Sequence, residues 1–169
     1  MKKFVAIDSY SIDTIIDKIE ELNNINLQFY IIYKHLPLVG NLSVLENIAL
    51  LLSYHKGIKI RSLIEHITKE LTVFGLENKL HHRRDSLSEL EILFVKYITA
   101  KVYGVKEIIF ILPIDHAGVG MELELISFLK SCNENYTILD YNETYYKYHH
   151  IEDLIRMEID EWLTQDLKG

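Results

Sequence analysis

Lys106-Glu107-Ile108-Ile109-Phe110-Ile111-Leu112-Pro113 has an unbroken apolar centre between a charged start and a proline stop. A short run rich in β-branched and aromatic residues reads as a strand, here over 106–112, buried on both faces. Phe4 to Ile7, Leu27 to Tyr33 and Tyr136 to Leu139 read the same way. Helical spacing separates these runs. Ile12, Ile15, Ile16, Ile19 and Leu22 recur at three and four positions after Ser11, a suitable N-cap. A helix is expected over 119–131, and a last amphipathic helix with Ile151, Leu154, Ile155, Ile159 and Trp162 on one face. Strands alternating with helices predict an α/β fold with a mostly parallel sheet flanked by helices.

Three further helices interrupt this alternation. Ser43 with Glu46, and Ser88 with Glu91, have the spacing of capping boxes and mark two helix starts. Between them, Ile60, Leu63, Ile64, Ile67, Leu71 and Phe74 define a helix that Gly75 stops. The expectation is one domain over 1–169, with an α/β core of 1–41 and 104–169 and a helical lobe of 42–103.

With 169 residues, 49% of them apolar and 25% charged, the chain has the composition of an ordinary globule. No apolar run approaches the roughly 20 residues of a membrane span. The first eight residues turn polar too soon for a signal peptide, so a cytoplasmic location is expected. The single cysteine, Cys132, excludes an intrachain disulfide and a thiolate metal cluster. A net charge of −7, with His81-His82-Arg83-Arg84 as the basic run, disfavours nucleic acid. Seven glycines leave few positions for a loop that cradles phosphate.

One long stretch resembles a known family. His35-Leu36-Pro37-Leu38-Val39-Gly40-Asn41-Leu42-Ser43-Val44-Leu45-Glu46-Asn47-Ile48-Ala49 is similar to the segment that follows the Q-loop in the ATPase subunits of ABC transporters. Phe74-Gly75-Leu76-Glu77-Asn78-Lys79-Leu80 matches the turn that family places in its helical subdomain. Leu87-Ser88 falls where its L-S-G-G-Q signature begins. More faintly, the resemblance runs over about residues 4 to 142. It implies a RecA-like sheet carrying an ABC-type helical lobe. The family's antiparallel β lobe is missing, because only Asn23 to Asn26 join the first helix to the second strand.

Carried over position by position, the family's nucleotide chemistry is absent. The Walker A loop is replaced by Asp8-Ser9-Tyr10-Ser11-Ile12-Asp13-Thr14, which has no glycine or lysine to hold a triphosphate. Lys34 stands at the Q-loop glutamine. The signature reads Leu87-Ser88-Glu89-Leu90-Glu91, with carboxylates where a phosphate would approach. Ser88 itself reads as an ordinary N-cap. Walker B ends in Ile111-Leu112-Pro113, aliphatic at the magnesium and catalytic positions, and Tyr141 stands near the switch histidine. The resemblance therefore implies a pseudo-ATPase, with no catalytic residues and no cofactor, ATP and magnesium included.

What the family retains besides catalysis is a groove for a membrane permease. Tyr33, Lys34, His35, Leu36, Leu38, Leu42 and Leu45 are the candidate contacts with a permease, an active ATPase subunit or another copy of the chain. Such a partner would hold the protein at the inner face of the membrane. Two other readings stay open. One is a stand-alone small α/β ligand-binding protein or enzyme with a site at the strand carboxyl ends, around Asp8, Ser9, Asp115, His116 and Asp140. The other is weak nucleotide binding without hydrolysis. The pairs His81-His82 and His149-His150 do not suggest a metal, since adjacent residues on a regular element point apart. Tyr141, Tyr145, Tyr146 and Tyr148 form either an interface patch or a packed cap.

Overall fold

The computed structural model of the chain describes residues 1–7, 11–23 and 27–165. The chain divides into two compact units, Met1–Lys34 with Val105–Gly169, and His35–Gly104. The second is the helical lobe, which begins at His35, ahead of the expected residue 42.

In the first unit β1 (Lys2–Ala6) leads to α1 (Ile12–Asn23) and β2 (Phe29–Ile32). After the lobe come β3 (Glu107–Ile111), a short helix Pro113–Ala117, a longer helix Glu122–Ser131, β4 (Tyr136–Asp140), a helical turn Tyr145–Tyr148, β5 (Leu154–Met157) and a last helix Ile159–Gln165. The five strands form one sheet in the order β2-β3-β4-β1-β5, and every pairing is parallel. This is the predicted α/β architecture. The described residues include no antiparallel strand.

Alternation along the strands gives the sheet two apolar faces. Val5, Ile109, Ile111 and Leu139 meet Ile15 and Ile19 of α1, and Ile159 and Trp162 of the last helix. Phe4 and Phe110 point the other way. Phe4 packs on the rings of Tyr145 and Tyr148, and Phe110 on Phe128 and Tyr136. The tyrosine cluster is thus divided. Tyr148 is fully buried and Tyr145 packs on Phe4, while Tyr141 and Tyr146 are exposed.

Three of the buried polar side chains of the sheet meet one another. Lys3 on β1 reaches Glu107 on β3 with Nζ–Oε1 at 3.1 Å, and Thr137 on the intervening β4 donates its hydroxyl to the same carboxylate. Lys3 and Glu107 are almost wholly inaccessible.

In the lobe, α2 (Val44–Lys56) is followed by a 3₁₀ turn, Ile60–Leu63, then α3 (Ile64–Val73) and α4 (Glu89–Tyr103). Both predicted capping boxes are present, at Ser43–Glu46 and Ser88–Glu91. The middle helix begins in 3₁₀ geometry and stops before Gly75, whose φ of 67° suits glycine. Among the described residues no helix is long and apolar enough to cross a membrane.

Two expectations need correction. The helix expected over 119–131 begins only at Glu122, because Gly118 and Gly120 take positive φ before it, and a short helix that was not expected, Pro113–Ala117, precedes them. The final amphipathic helix is a strand followed by a shorter helix. Asp153 takes φ 59°, which ends any helix there, and Leu154–Met157 then pairs with Lys2–Val5 along the edge of β1. Pairing satisfies backbone groups that β1 would otherwise leave open on that side.

Removing one partner of a buried ion pair leaves an uncompensated charge, at a cost of about 3–5 kcal/mol. Glu107→Ala is therefore expected to lower stability by about that amount. The paired change Lys3→Met with Glu107→Leu is expected to recover most of it. Denaturant unfolding of the three proteins measures this; a Glu107→Ala loss below about 1 kcal/mol would refute a locked pair.

Candidate functional site

The amino end of α4 holds Leu87-Ser88-Glu89-Leu90-Glu91, the stretch compared above with the ABC signature. Glu91 Oε2 accepts the Ser88 N–H at 2.7 Å, and Ser88 Oγ accepts the Glu91 N–H at 3.2 Å. Lys79 Nζ lies 3.7 Å from Glu91, and Arg84 4.0 Å from Glu89. Glu89 and Glu91 place negative charge at the positive end of the helix dipole. An incoming phosphate would have to displace this arrangement. Leu87 and Leu90 are half-buried beside it and offer no polar group. Further along α4, burial lowers the Lys96 ammonium to about 8, against the opposing pull of Glu89.

At the end of β3, Ile111 is wholly buried within the apolar core, and Leu112 and Pro113 are buried after it. Leu112 has φ 47° and ψ 55°, left-handed geometry that costs a non-glycine residue roughly 1–2 kcal/mol. Its N–H still joins the sheet through Leu139 O at 2.9 Å, and its carbonyl accepts the His116 N–H at 3.1 Å. The chain thus bends sharply over the carboxyl edge of β3, with Pro113 opening the short helix.

Next to this bend a buried hydrogen-bonded pair closes the end of β4. Asp140 is 3% exposed. The Tyr148 hydroxyl donates to its Oδ2 at 2.5 Å and the Tyr141 N–H to its Oδ1 at 2.7 Å. Burial pushes the Asp140 carboxyl above the usual carboxylate range, and repulsion from Asp115 adds to this. Hydrogen bonds from Tyr148, Tyr141 and Thr144 hold it back. Burial, with Asp140 alongside, also raises the Tyr148 phenol.

A cleft of about 470 Å³ opens at the same edge, lined by Lys34, Ile114, Asp115, the Gly118–Gly120 turn, Glu122 and Lys147. Lys34 Nζ donates to the Asp115 carbonyl at 3.4 Å, and Lys147 Nζ pairs with Glu122 at 3.0 Å. Of the five residues expected at a strand-end site, Asp115 lines the cleft. Asp140 and His116 are buried, and Asp8 and Ser9 lie outside the described residues. Glu122 and Lys147 were not expected here. The glycines at 118 and 120 that start Glu122's helix are the signal that could have found the first, and nothing in the sequence pairs the second with it.

The expected docking residues also separate. Tyr33 is half-buried against the core of the sheet unit, and its phenol is raised by burial and by Asp13. Lys34 belongs to the cleft. In the lobe, His35 and Leu36 are exposed and Leu42 is half-buried. Leu38 and Leu45 are buried, so these two do not form a contact surface. The reason is Asn47, which the sequence reading passed over. Its Oδ1 accepts the Val39 N–H at 2.9 Å, and its Nδ2 donates to the carbonyls of Val39, Leu42 and Ser43 at 3.0–3.2 Å. This clamp curls residues 39–43 so that Leu38 turns inward, while Leu36 and Val39 stay 38% and 43% exposed.

Among the described residues no group of three His, Cys, Asp or Glu side chains could hold a metal ion. His149 and His150 do not point apart as expected. They sit in the turn after Tyr148, not on a regular element, and their rings lie against each other, tilted by 43°, with centroids 3.6 Å apart.

A raised carboxyl pKa means that the folded state binds the Asp140 proton more tightly than the unfolded chain does. Its stabilising contribution is full below the ordinary carboxylate pKa of about 3.9 and is lost as pH rises through the elevated value. Asp140→Asn is expected to remove this decline, so the wild type loses ground to the variant as pH rises out of the carboxylate range. Unfolding curves of both proteins across acidic to neutral pH measure it; parallel pH profiles would refute it.

Neither any protein-family model nor any curated protein matches the chain.

Proposed function

We propose that the chain is an ABC-ATPase-like subunit without nucleotide chemistry, which serves as a docking partner for a membrane permease or for an active ATPase subunit. One observation carries this reading. The helix at the signature position is capped by its own Glu91, in a helical unit inserted between β2 and β3 of an all-parallel sheet. Two of the amides that would have to face a phosphate, those of Ser88 and Glu91, are already satisfied. The aliphatic, core-buried Ile111 at the end of β3 supports the same conclusion, since it leaves no ligand for magnesium there. Docking then falls to the exposed part of the loop that Asn47 clamps, with His35, Leu36 and Val39. On this reading the protein is cytoplasmic and reaches the inner membrane face through its partner.

A second reading, a small-ligand site at the strand ends, draws on the strained Leu112 beside the cleft of Lys34, Asp115, Glu122 and Lys147.

Titration of the purified protein with ATP and magnesium is expected to give no binding heat. Measurable affinity would overturn the site assignment, and turnover abolished by a single change in this chain would end the proposal. Gentle extraction is expected to recover the protein together with an ABC permease or ATPase. Leu36→Glu with Val39→Glu is expected to cut that recovery at least about tenfold, the effect of losing roughly 1.4 kcal/mol of binding, with an unchanged unfolding midpoint. Undiminished recovery would place docking elsewhere.

A further inference from the structure

Charge is divided unequally between the two units. His35–Gly104 carries nine Lys and Arg against seven Asp and Glu, a net of +2. The rest of the chain carries nine against eighteen, a net of −9, and together they give the −7 of the whole. Within the lobe, the stretch from Asn47 to Ile64 contains Lys56, Lys59 and Arg61 and no carboxylate. These three follow one another around the carboxyl end of α2 and the 3₁₀ turn, and all are exposed. Tyr54 is 83% exposed at the same helix end, and Leu50, one turn earlier on its face, is 41% exposed. The end is firmly built. Lys56 Nζ donates to the Tyr103 carbonyl at 3.0 Å, lies 4.3 Å from the centre of the Tyr103 ring, and so neutralises the negative end of α4.

We propose that this end of the lobe is a contact surface for an anionic membrane. Lys59 and Arg61 would meet lipid headgroups, while Tyr54 and Leu50 enter the interfacial layer. Charge complementarity selects the occupant. The lobe is the unit that a negative surface attracts, and cations interleaved with an exposed tyrosine and leucine suit the boundary between headgroups and acyl chains. The cation count is low, so the contact is weak alone and adds to another anchor. The inference uses lobe residues only. It does not depend on the permease reading, and Leu36 and Val39 take no part in it.

Flotation of the full chain with mixed phosphatidylserine–phosphatidylcholine vesicles at low salt tests it. The protein is expected to float with these and not with pure phosphatidylcholine, and to be released by about 0.5 M salt. Lys59→Ala with Arg61→Ala is expected to lower partitioning roughly thirtyfold, at about fivefold for each cation removed. Tyr54→Ser is expected to lower it in a salt-independent way. All these residues are exposed, and circular dichroism checks that each variant folds. Equal flotation with both vesicle types, flotation unaffected by the paired change, or no flotation would overturn the proposal. So would salt-sensitive self-association of the free protein without flotation, which would make a second copy the occupant. Loss of permease co-purification with vesicle binding intact would overturn only the docking reading.

Discussion

Lys3, Thr137 and Glu107 lie across β1, β4 and β3 on one face of the sheet, at the amino-terminal rim of its apolar core. The same face continues with Val5, Leu139, Ile109 and Ile111, which are close to interchangeable in size and polarity. Parallel strands of that kind specify register poorly, because a slip of two residues returns aliphatic side chains to the same face. Burying one cation and one carboxylate removes the ambiguity. Any slipped register leaves a charge inside the sheet without its partner, and water cannot reach it. The pair adds little net stability for this reason, but it makes one alignment of β1, β4 and β3 much better than the others. Everything at the opposite, carboxyl edge inherits its position from that alignment: the bend at Leu112, the Asp140–Tyr148 pair, and the cleft beside Asp115.

The two units settle their electrostatics differently. In the sheet unit the unusual charges turn inward, as Lys3 with Glu107 and Asp140 with Tyr148. In the lobe, two carboxylates are spent on helix ends. Glu46 accepts from the Ser43 backbone N–H, which lowers its pKa, and Glu91 accepts from the Ser88 backbone N–H. Other lobe acids pair with cations, as Glu65 does with Lys69, Glu70 with Lys101 and Glu89 with Arg84. Lys59 and Arg61 face solvent.

How much of this was legible in the sequence follows from the range of each interaction. Caps act over three residues, so Ser43–Glu46 and Ser88–Glu91 could be read directly and formed as expected. The central strands announced themselves through apolar runs that no helix of that length would need. β5 could not be read this way. Leu154-Ile155-Arg156-Met157 also fits a helical face, and only the edge of β1, some 150 residues earlier, decides in favour of a strand. Leu38 and Leu45 looked available because the sequence shows hydrophobicity and not direction. Asn47, whose four hydrogen bonds set that direction, looked like any polar residue on a helix. The strand-end cleft was half legible. Asp115 and Asp140 sit at strand ends by position, but Lys147 meets Glu122 only through the tertiary fold.

On the proposed reading, the loss of nucleotide chemistry is difficult to reverse by single steps. Replacing Glu91 to free the α4 amides would give up a cap, at a cost of about 1 kcal/mol, with nothing gained while β3 still ends in Ile111. Placing an aspartate at 111 would bury a carboxylate among Val5, Leu139 and Trp162 with no magnesium-binding partner beside it, a cost of several kcal/mol. Each change is unfavourable until the other is present, and neither supplies a phosphate-binding loop after β1. Glu91 and Ile111 both contribute to the fold's stability. Selection on docking alone would hold them there, since stability and the clamped loop around Asn47 are what a binding platform requires.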